Sequence, residues 1–296
     1  MQPVGLWPDV DPRRVLAALG YGEISDPVRV MGGWETLLWR FATPDGSTHA
    51  LRVYCLSGAA NTALRERIAM AACAAAGFAA PRVEAFDEYQ GMPVVVQSWC
   101  AGTPLLALIE KKPWAVLRLG RLFGRTHARL HTIAAPEEFA ATAPRDWLSR
   151  IPPEYAYLAD NAIASGITTA TLIHLDYHPL NVIVSDGGRA SVIDWAYSAA
   201  GDPRADLAVT AATFETAPIP PGPLRPLLNF MRVLAARAWR DGYREVAGAM
   251  PDYRPYLAWA CAMMLRGTEE TLGRPGVWST QEDIEALHRH IARWSP

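Results

Sequence analysis

Hydrophobic and polar positions alternate in three short runs near the start of the chain, VRVMGG, LLWRFA and HALRVY. A period of two predicts strands at about residues 28–31, 37–42 and 49–54, the last two joined by a Pro44-Asp45-Gly46 turn. An alanine-rich stretch then predicts a helix over 59–77, stopped by Gly77 and Pro81. PVVVQSW (93–99), with three consecutive valines, reads as a buried strand that closes in Ala101-Gly102. From Leu105 the period changes to 3.6: Leu119, Leu122, Phe123, Thr126 and Leu130 share one helical face. Further helical patterns lie near 145–164, 203–215, 224–247, 253–271 and 280–293, and Ala217–Pro226 is a proline-rich connection. A single hairpin, VIVS-DGG-ASVI, interrupts this helical half. The expected organisation is a β-rich N-terminal lobe (1–96), a hinge (97–104) and a larger helical C-terminal lobe (105–296), an α+β fold.

Composition narrows the function classes. With 296 residues, half of them hydrophobic, the chain can bury a large core. A net charge of −2 gives no broad electrostatic attraction for nucleic acid. The four cysteines, Cys55, Cys73, Cys100 and Cys261, form no CxxC pair, which suits reduced thiols in a cytoplasmic protein. The longest apolar run, 68–80, is too short and too alanine-rich to span a bilayer, and the first residues lack the pattern of a signal peptide. Only Lys111 and Lys112 are lysines, so arginine carries nearly all the positive charge.

The chemistry concentrates in LIHLDYHPLNVIVSDGGRASVIDW, residues 172–195. Closing the hairpin at Asp186-Gly187-Gly188 brings Asn181 and Asp194 to the same open end, about 5 Å apart on adjacent strands. An amide oxygen beside a carboxylate is a hard-oxygen pair that suits Mg²⁺ with phosphates completing its shell. Asp176 enters the same space from the preceding loop, where a base for a hydroxyl nucleophile belongs. Taken singly, these Asp and Asn residues read first as Asx-turns and hairpin caps; as one ordered block they read as a site. His174, Asp176 and His178 also spell a metal-hydrolase triplet, and His127 and His131 are four apart on one helix, though no HExxH accompanies them. The second half is rich in rings, Trp239, Tyr243, Tyr253, Tyr256, Trp259 and Trp278, whose helical spacing reads first as core and second as a cage for a cation.

In order, H-x-D-x-x-x-x-N, a strand pair with Asp-Trp, and GDPRADLA (201–208) resemble the aminoglycoside phosphotransferase and choline kinase family of the protein-kinase-like fold. That resemblance implies a Mg²⁺-dependent kinase that moves the γ-phosphoryl group of ATP or GTP to a small-molecule hydroxyl. It implies Asp176 as the base or orienter, and Asn181 and Asp194 as metal ligands. His174 would be a brace for the loop, Asp206 a structural acceptor, and His178 a neighbour of the transferred phosphate. In the N-terminal lobe, VMGGWETLLWRF resembles the nucleotide loop, with Gly32 and Gly33 beside the phosphates and Thr36 where many relatives have Asn. Arg52 stands where many relatives have lysine, with Glu66 as its ion-pair partner. The Ser98 carbonyl and Cys100 amide would meet the purine edge at the hinge. Arginine at position 52 is longer and planar, so this departure admits a second reading, a nucleotide-binding pseudokinase. Antibiotic-type acceptors, an aminoglycoside or a macrolide, come first, and metabolites such as choline, an amino sugar or homoserine come next. From Glu215 onward nine acids face ten arginines, so no acidic cradle for a polycation stands out.

Overall fold

The computed structural model describes residues 8–31, 36–56, 58–142, 146–166, 170–219, 222–273 and 279–295. Its elements run α1 (Pro12–Ala18), β1 (Val28–Arg29), β2 (Thr36–Ala42), β3 (Thr48–Tyr54), α2 (Ala59–Ala75), β4 (Val83–Tyr89), β5 (Met92–Ser98), β6 (Thr103–Pro104), α3 (Leu105–Lys111), α4 (Val116–Leu130), α5 (Glu137–Thr142), α6 (Tyr157–Ala164), β7 (Thr171–Ile173), β8 (Val182–Val184), β9 (Ala190–Val192), β10 (Ala199–Gly201), α7 (Pro203–Thr216), α8 (Arg225–Ala247), α9 (Leu257–Thr271) and α10 (Gln281–Trp294). An N-terminal antiparallel sheet followed by a helical region is the α+β, protein-kinase-like arrangement expected from the sequence.

The first sheet has the order β1-β2-β3-β5-β4. Leu37, Trp39 and Phe41 of β2, Leu51 and Val53 of β3, and Val94 and Val96 of β5 pack on one face against Val15 and Leu16 of α1. Successive side chains of a strand point to opposite faces. The alternation that buries Leu51 and Val53 therefore turns Arg52 and Tyr54 to the other face, toward α2. Two elements here escape the sequence pattern. Strand β4 lies at the sheet edge with mostly exposed or half-buried residues, so it carries no apolar run. Helix α1 has only seven residues, capped by the Asp11 side chain on the Arg13 amide.

In the helical region, the hairpin pairs Val182 with Val192, Ile183 with Ser191 and Val184 with Ala190. Strand β6 joins its other edge, and β7 pairs separately with β10. The stretch expected as one helix over 145–164 differs: short 3₁₀ turns at 146–149 and 153–155 precede α6. Pro152 and Pro153 account for the break, because neither can donate a helical N–H. The main contact is between α4 and α8, which lie almost backbone to backbone. A Cβ on Gly124 would sit 2.0 Å from the Trp239 carbonyl oxygen, and one on Gly242 2.1 Å from that of Arg121. Trp239, Tyr243, Tyr256 and Trp259 are all buried in this core, which is the bland reading of the aromatic series. Trp278 lies outside the described residues. Among the described residues no helix is long and apolar enough to cross a membrane.

Candidate active site

The loop between β7 and β8 is pinned before it exposes any chemistry. His174 is buried; its Nε2 lies 3.0 Å from the Ile193 carbonyl, and its Nδ1 accepts the Asp176 amide at 3.3 Å. One imidazole thus spans from the loop to the far strand of the hairpin. Leu175 is buried with φ +60°, a left-handed conformation that costs a leucine roughly 1–2 kcal/mol. The Asp206 carboxylate of α7 holds it there, accepting the amides of His174 and Leu175, each at 2.8 Å. Tyr177 points inward, donating to the Phe123 carbonyl at 2.8 Å, while Thr210 donates to the Tyr177 carbonyl at 2.9 Å. Fixed on both sides, the loop leaves the Asp176 side chain partly open to solvent.

Asn181 then ties Asp176 to the hairpin. Its amide nitrogen donates to the Asp176 carbonyl and to Asp176 Oδ2, both at 3.0 Å, and lies 3.2 Å from His178 Nε2. With the nitrogen engaged by the loop, the amide oxygen faces away from it. The Asn181 carbonyl accepts the Ile193 amide at 2.9 Å, so the two ends of the hairpin are in register and Asp194 follows directly. Asp194 has φ +65°, with its side chain 37% exposed. The next residue anchors it: Trp195 is fully buried, its indole N–H donating to the Val192 carbonyl at 3.1 Å. His178 Nε2 is 3.4 Å from Asp176 Oδ1. Burial opposes charge on this imidazole, but the Asp176 carboxylate, with Asp194 behind it, outweighs burial and raises its pKa.

Arg52 reaches the same space from the sheet. Its Nη1 is 2.5 Å from Glu66 Oε2, and its Nη2 is 3.7 Å from Asp194 Oδ1 and 3.5 Å from Thr36 Oγ1. Glu66 is fully buried on α2, and the Tyr54 hydroxyl donates to the same Oε2 at 3.0 Å. Burial, above all, keeps the Tyr54 hydroxyl protonated. Arg52 therefore bridges α2 to the hairpin end, and its planar fork is what lets it address two carboxylates. Sequence reasoning did not reach Tyr54, although it shares a strand face with Arg52. It also did not reach Arg65, whose Nη1 donates to the Ala196 carbonyl at 3.0 Å and fastens α2 to the chain just past Asp194.

The remaining expected residues lie farther out. Ser98 closes β5, exchanging bonds with Arg82: its amide donates to the Arg82 carbonyl and its hydroxyl accepts the Arg82 amide, both at 2.9 Å. Cys100 follows; burial pushes its thiol up to about 11, against a Ser191 hydrogen bond that lowers it, which disfavours the thiolate at neutral pH. Gly32 and Gly33 lie outside the described residues. The His174–Asp176–His178 grouping does not assemble as a metal-hydrolase centre, because both nitrogens of His174 are engaged by backbone.

A search of the curated proteins returns no match. The chain is similar in structure to aminoglycoside phosphotransferase APH(4)-Ia, at 18% identity, covering 96% of this chain and 98% of that one with a TM-score of 0.61. It is similar also to the amicoumacin kinase hAmiN, solved with AMP-PNP, Ca²⁺ and Ami, at 12% identity over 96% and 93% of the two chains and a TM-score of 0.63. Choline kinase LicA from Streptococcus pneumoniae has 15% identity over 95% and 97%, with a TM-score of 0.61. At such identities the likeness speaks for the fold. The model of the phosphotransferase enzyme family matches residues 28–256, most of the chain. The chain belongs to that phosphotransferase family, the one of the aminoglycoside phosphotransferases and choline kinases.

Proposed function

We propose that the protein transfers the γ-phosphoryl group of ATP or GTP to a hydroxyl of a small molecule. The observation that carries this reading is the meeting of Asp176, Asn181, Asp194 and Arg52, drawn from a loop, a hairpin and the N-terminal sheet. Such transfer asks the protein for positioning and charge more than for covalent chemistry. Asp176 is the partly open carboxylate, and it orients or accepts the proton of the attacking hydroxyl. The Asn181 bond to Asp176 Oδ2 fixes the rotation of that carboxylate. Arg52, steadied by Glu66, binds the nucleotide phosphates.

The donor set fits Mg²⁺. The outward amide oxygen of Asn181 and the Asp194 carboxylate are both hard oxygens, with no soft ligand between them. When bound there, Mg²⁺ supplies charge neutralisation for the phosphate oxygens. In the N-terminal part, the backbone from Ser98 to Cys100 receives the purine edge, and the segment 97–104 acts as a hinge between residues 1–96 and 105–296.

For the acceptor, an antibiotic hydroxyl is our first reading and a metabolite such as choline, an amino sugar or homoserine the second. The near balance of nine acids and ten arginines from Glu215 onward supports an acceptor less cationic than an aminoglycoside. One observation favours a different outcome: Arg52 already lies 3.7 Å from Asp194, where the metal would stand, as in a pocket that binds nucleotide without transferring it. The test is release of nucleoside diphosphate with Mg²⁺ and ATP or GTP against aminoglycosides, macrolides, choline, amino sugars and homoserine. Acceptor-dependent turnover supports transfer; bound nucleotide with no turnover across the panel supports the pseudokinase.

A further inference from the structure

Asp206 does more than accept two amides. Its Oδ2 is hydrogen-bonded to His131 Nε2 at 3.2 Å and lies 3.3 Å from His127 Nε2, which is out of line for a hydrogen bond; both rings are on α4, and all three side chains are buried. Among the described residues this is the one cluster of three side chains able to ligate a metal, their donor atoms within 4.8 Å of one another. The far sides of the two rings decide between a metal and a hydrogen-bonded clamp. Trp239 Nε1 is 3.3 Å from His127 Nδ1, and an indole N–H can only donate. Nδ1 must therefore be the bare nitrogen, and the ring proton sits on Nε2, facing Asp206. A cation on Nε2 would force that proton to Nδ1, against the Trp239 N–H. The Tyr243 hydroxyl stands 2.9 Å from His131 Nδ1 in the matching place, and burial keeps that hydroxyl protonated. The Asp206 carboxylate can only accept from His131 Nε2, so that nitrogen carries the proton and the bare Nδ1 accepts from the Tyr243 hydroxyl.

One relay thus runs from Tyr243 on α8 through His131 on α4 to the Asp206 carboxylate on α7, with the His127 ring packed beside it. Burial first, then its neighbour His131, lowers His127 to about 4. Burial would protonate the carboxylate, but the adjoining His127 and His131 outweigh it and hold its pKa well below the usual carboxylate range. Its other bonds hold the left-handed Leu175 immediately before Asp176.

We infer that His131, backed by the Tyr243 hydroxyl and by the His127 ring that Trp239 holds beside it, is a positioning residue that aims the Asp206 carboxylate at the amides of His174 and Leu175 and thereby places Asp176. The geometry stands by itself, while its catalytic consequence rests on the phosphotransferase reading above. α8 thereby acquires a route to the reacting centre through one ring, without touching it.

The test uses the full-length protein with ¹⁵N-labelled histidine. Nitrogen NMR at pH 7.5 should show the ring proton of His127 and His131 on Nε2, a result that needs no substrate. Trp239→Phe should release the tautomer of His127, whereas His131, held by Asp206, should keep its own in Tyr243→Phe. His131→Phe should lower kcat about 10- to 100-fold, as expected when a reacting group is misplaced by about 1 Å, with nucleotide KM changed less than about twofold. His131→Gln, which keeps an N–H for Asp206, should recover most of that loss. Stoichiometric zinc in the purified protein, lost in His127→Gln, would overturn the clamp in favour of a metal. Nδ1–H tautomers, or equal kcat for the Phe and Gln variants beside a merely lower Tm, would also overturn it. Failure of the parent reading looks different: the wild-type protein itself transfers nothing, while the tautomers remain as described.

Discussion

Consider Glu66→Gln. The amide keeps the size of the side chain and one oxygen for the Tyr54 hydroxyl, but it removes the charge 2.5 Å from Arg52 Nη1. Glu66 is fully buried, and the Arg52 side chain is only 11% exposed. Breaking such a pair by neutralising one partner costs about 3–5 kcal/mol, since the remaining charge loses its counterion away from water. The retained Tyr54 bond, about 1 kcal/mol, offsets part of this. Net destabilisation is then about 2–4 kcal/mol, which at roughly 2–3 °C per kcal/mol for a chain of this length lowers Tm by about 4–12 °C. A second effect follows from the site. Arg52 Nη2 already lies 3.7 Å from Asp194, and without Glu66 the guanidinium turns toward that carboxylate. Affinity for the Mg²⁺–nucleotide complex should fall about tenfold, about 1.4 kcal/mol. Calorimetry of the variant, with and without nucleotide, reads both numbers. A Tm within 1 °C of wild type and unchanged nucleotide affinity would refute the reasoning, because Arg52 would then not depend on Glu66 for its charge balance or its aim.

Other expectations follow from the same geometry. Asp194→Ala should weaken Mg²⁺-dependent nucleotide binding, measured by titration calorimetry, while binding without the metal changes little. His127, with a folded pKa of about 4 against an ordinary 6.5, binds fewer protons folded than unfolded. Its contribution is fully present above about pH 6.5 and is lost as pH falls toward 4, roughly 3 kcal/mol in all. Urea unfolding at pH 7.5 and pH 5 should show about 2 kcal/mol of that loss, and His127→Gln should flatten it. Gly124→Ala should destabilise the fold by about 3 kcal/mol, because its Cβ meets the Trp239 backbone oxygen at 2.0 Å and neither helix can yield without separating α4 from α8; chemical denaturation reads the change.

The loop-and-hairpin half of the candidate site was legible because its parts are close in sequence. Asn181 and Asp194 are joined by a hairpin whose Asp-Gly-Gly turn announces itself, and Asp176 lies in the loop that enters it. Arg52 and Glu66 were reached by resemblance, with the strand and helix that carry them. The Asp206 network was only half legible. The acceptor itself was expected, but its neighbours His127 and His131 lie on α4, and the side chains that back those two rings lie on α8, more than a hundred positions from them. No local period reports such contacts; they appear only once Gly124 and Gly242 let the two helices meet. The same limit hid β4, an edge strand with little to bury, and Arg65, whose partner Ala196 is remote in sequence. Helix 145–164 was misjudged for the opposite reason, a period read across two prolines that break it.

The claim at the centre is that Asp176 acts on the acceptor hydroxyl while Asn181, Asp194 and Arg52 hold the nucleotide. Its most direct test is transfer of a labelled γ-phosphoryl group from Mg²⁺–ATP or Mg²⁺–GTP to an acceptor found in the panel, with wild type and Asp176→Asn side by side. Loss of transfer by about 10²- to 10⁴-fold, with nucleotide affinity nearly intact, is the predicted result. Transfer at the wild-type rate by Asp176→Asn would contradict it and place the acceptor chemistry on another residue.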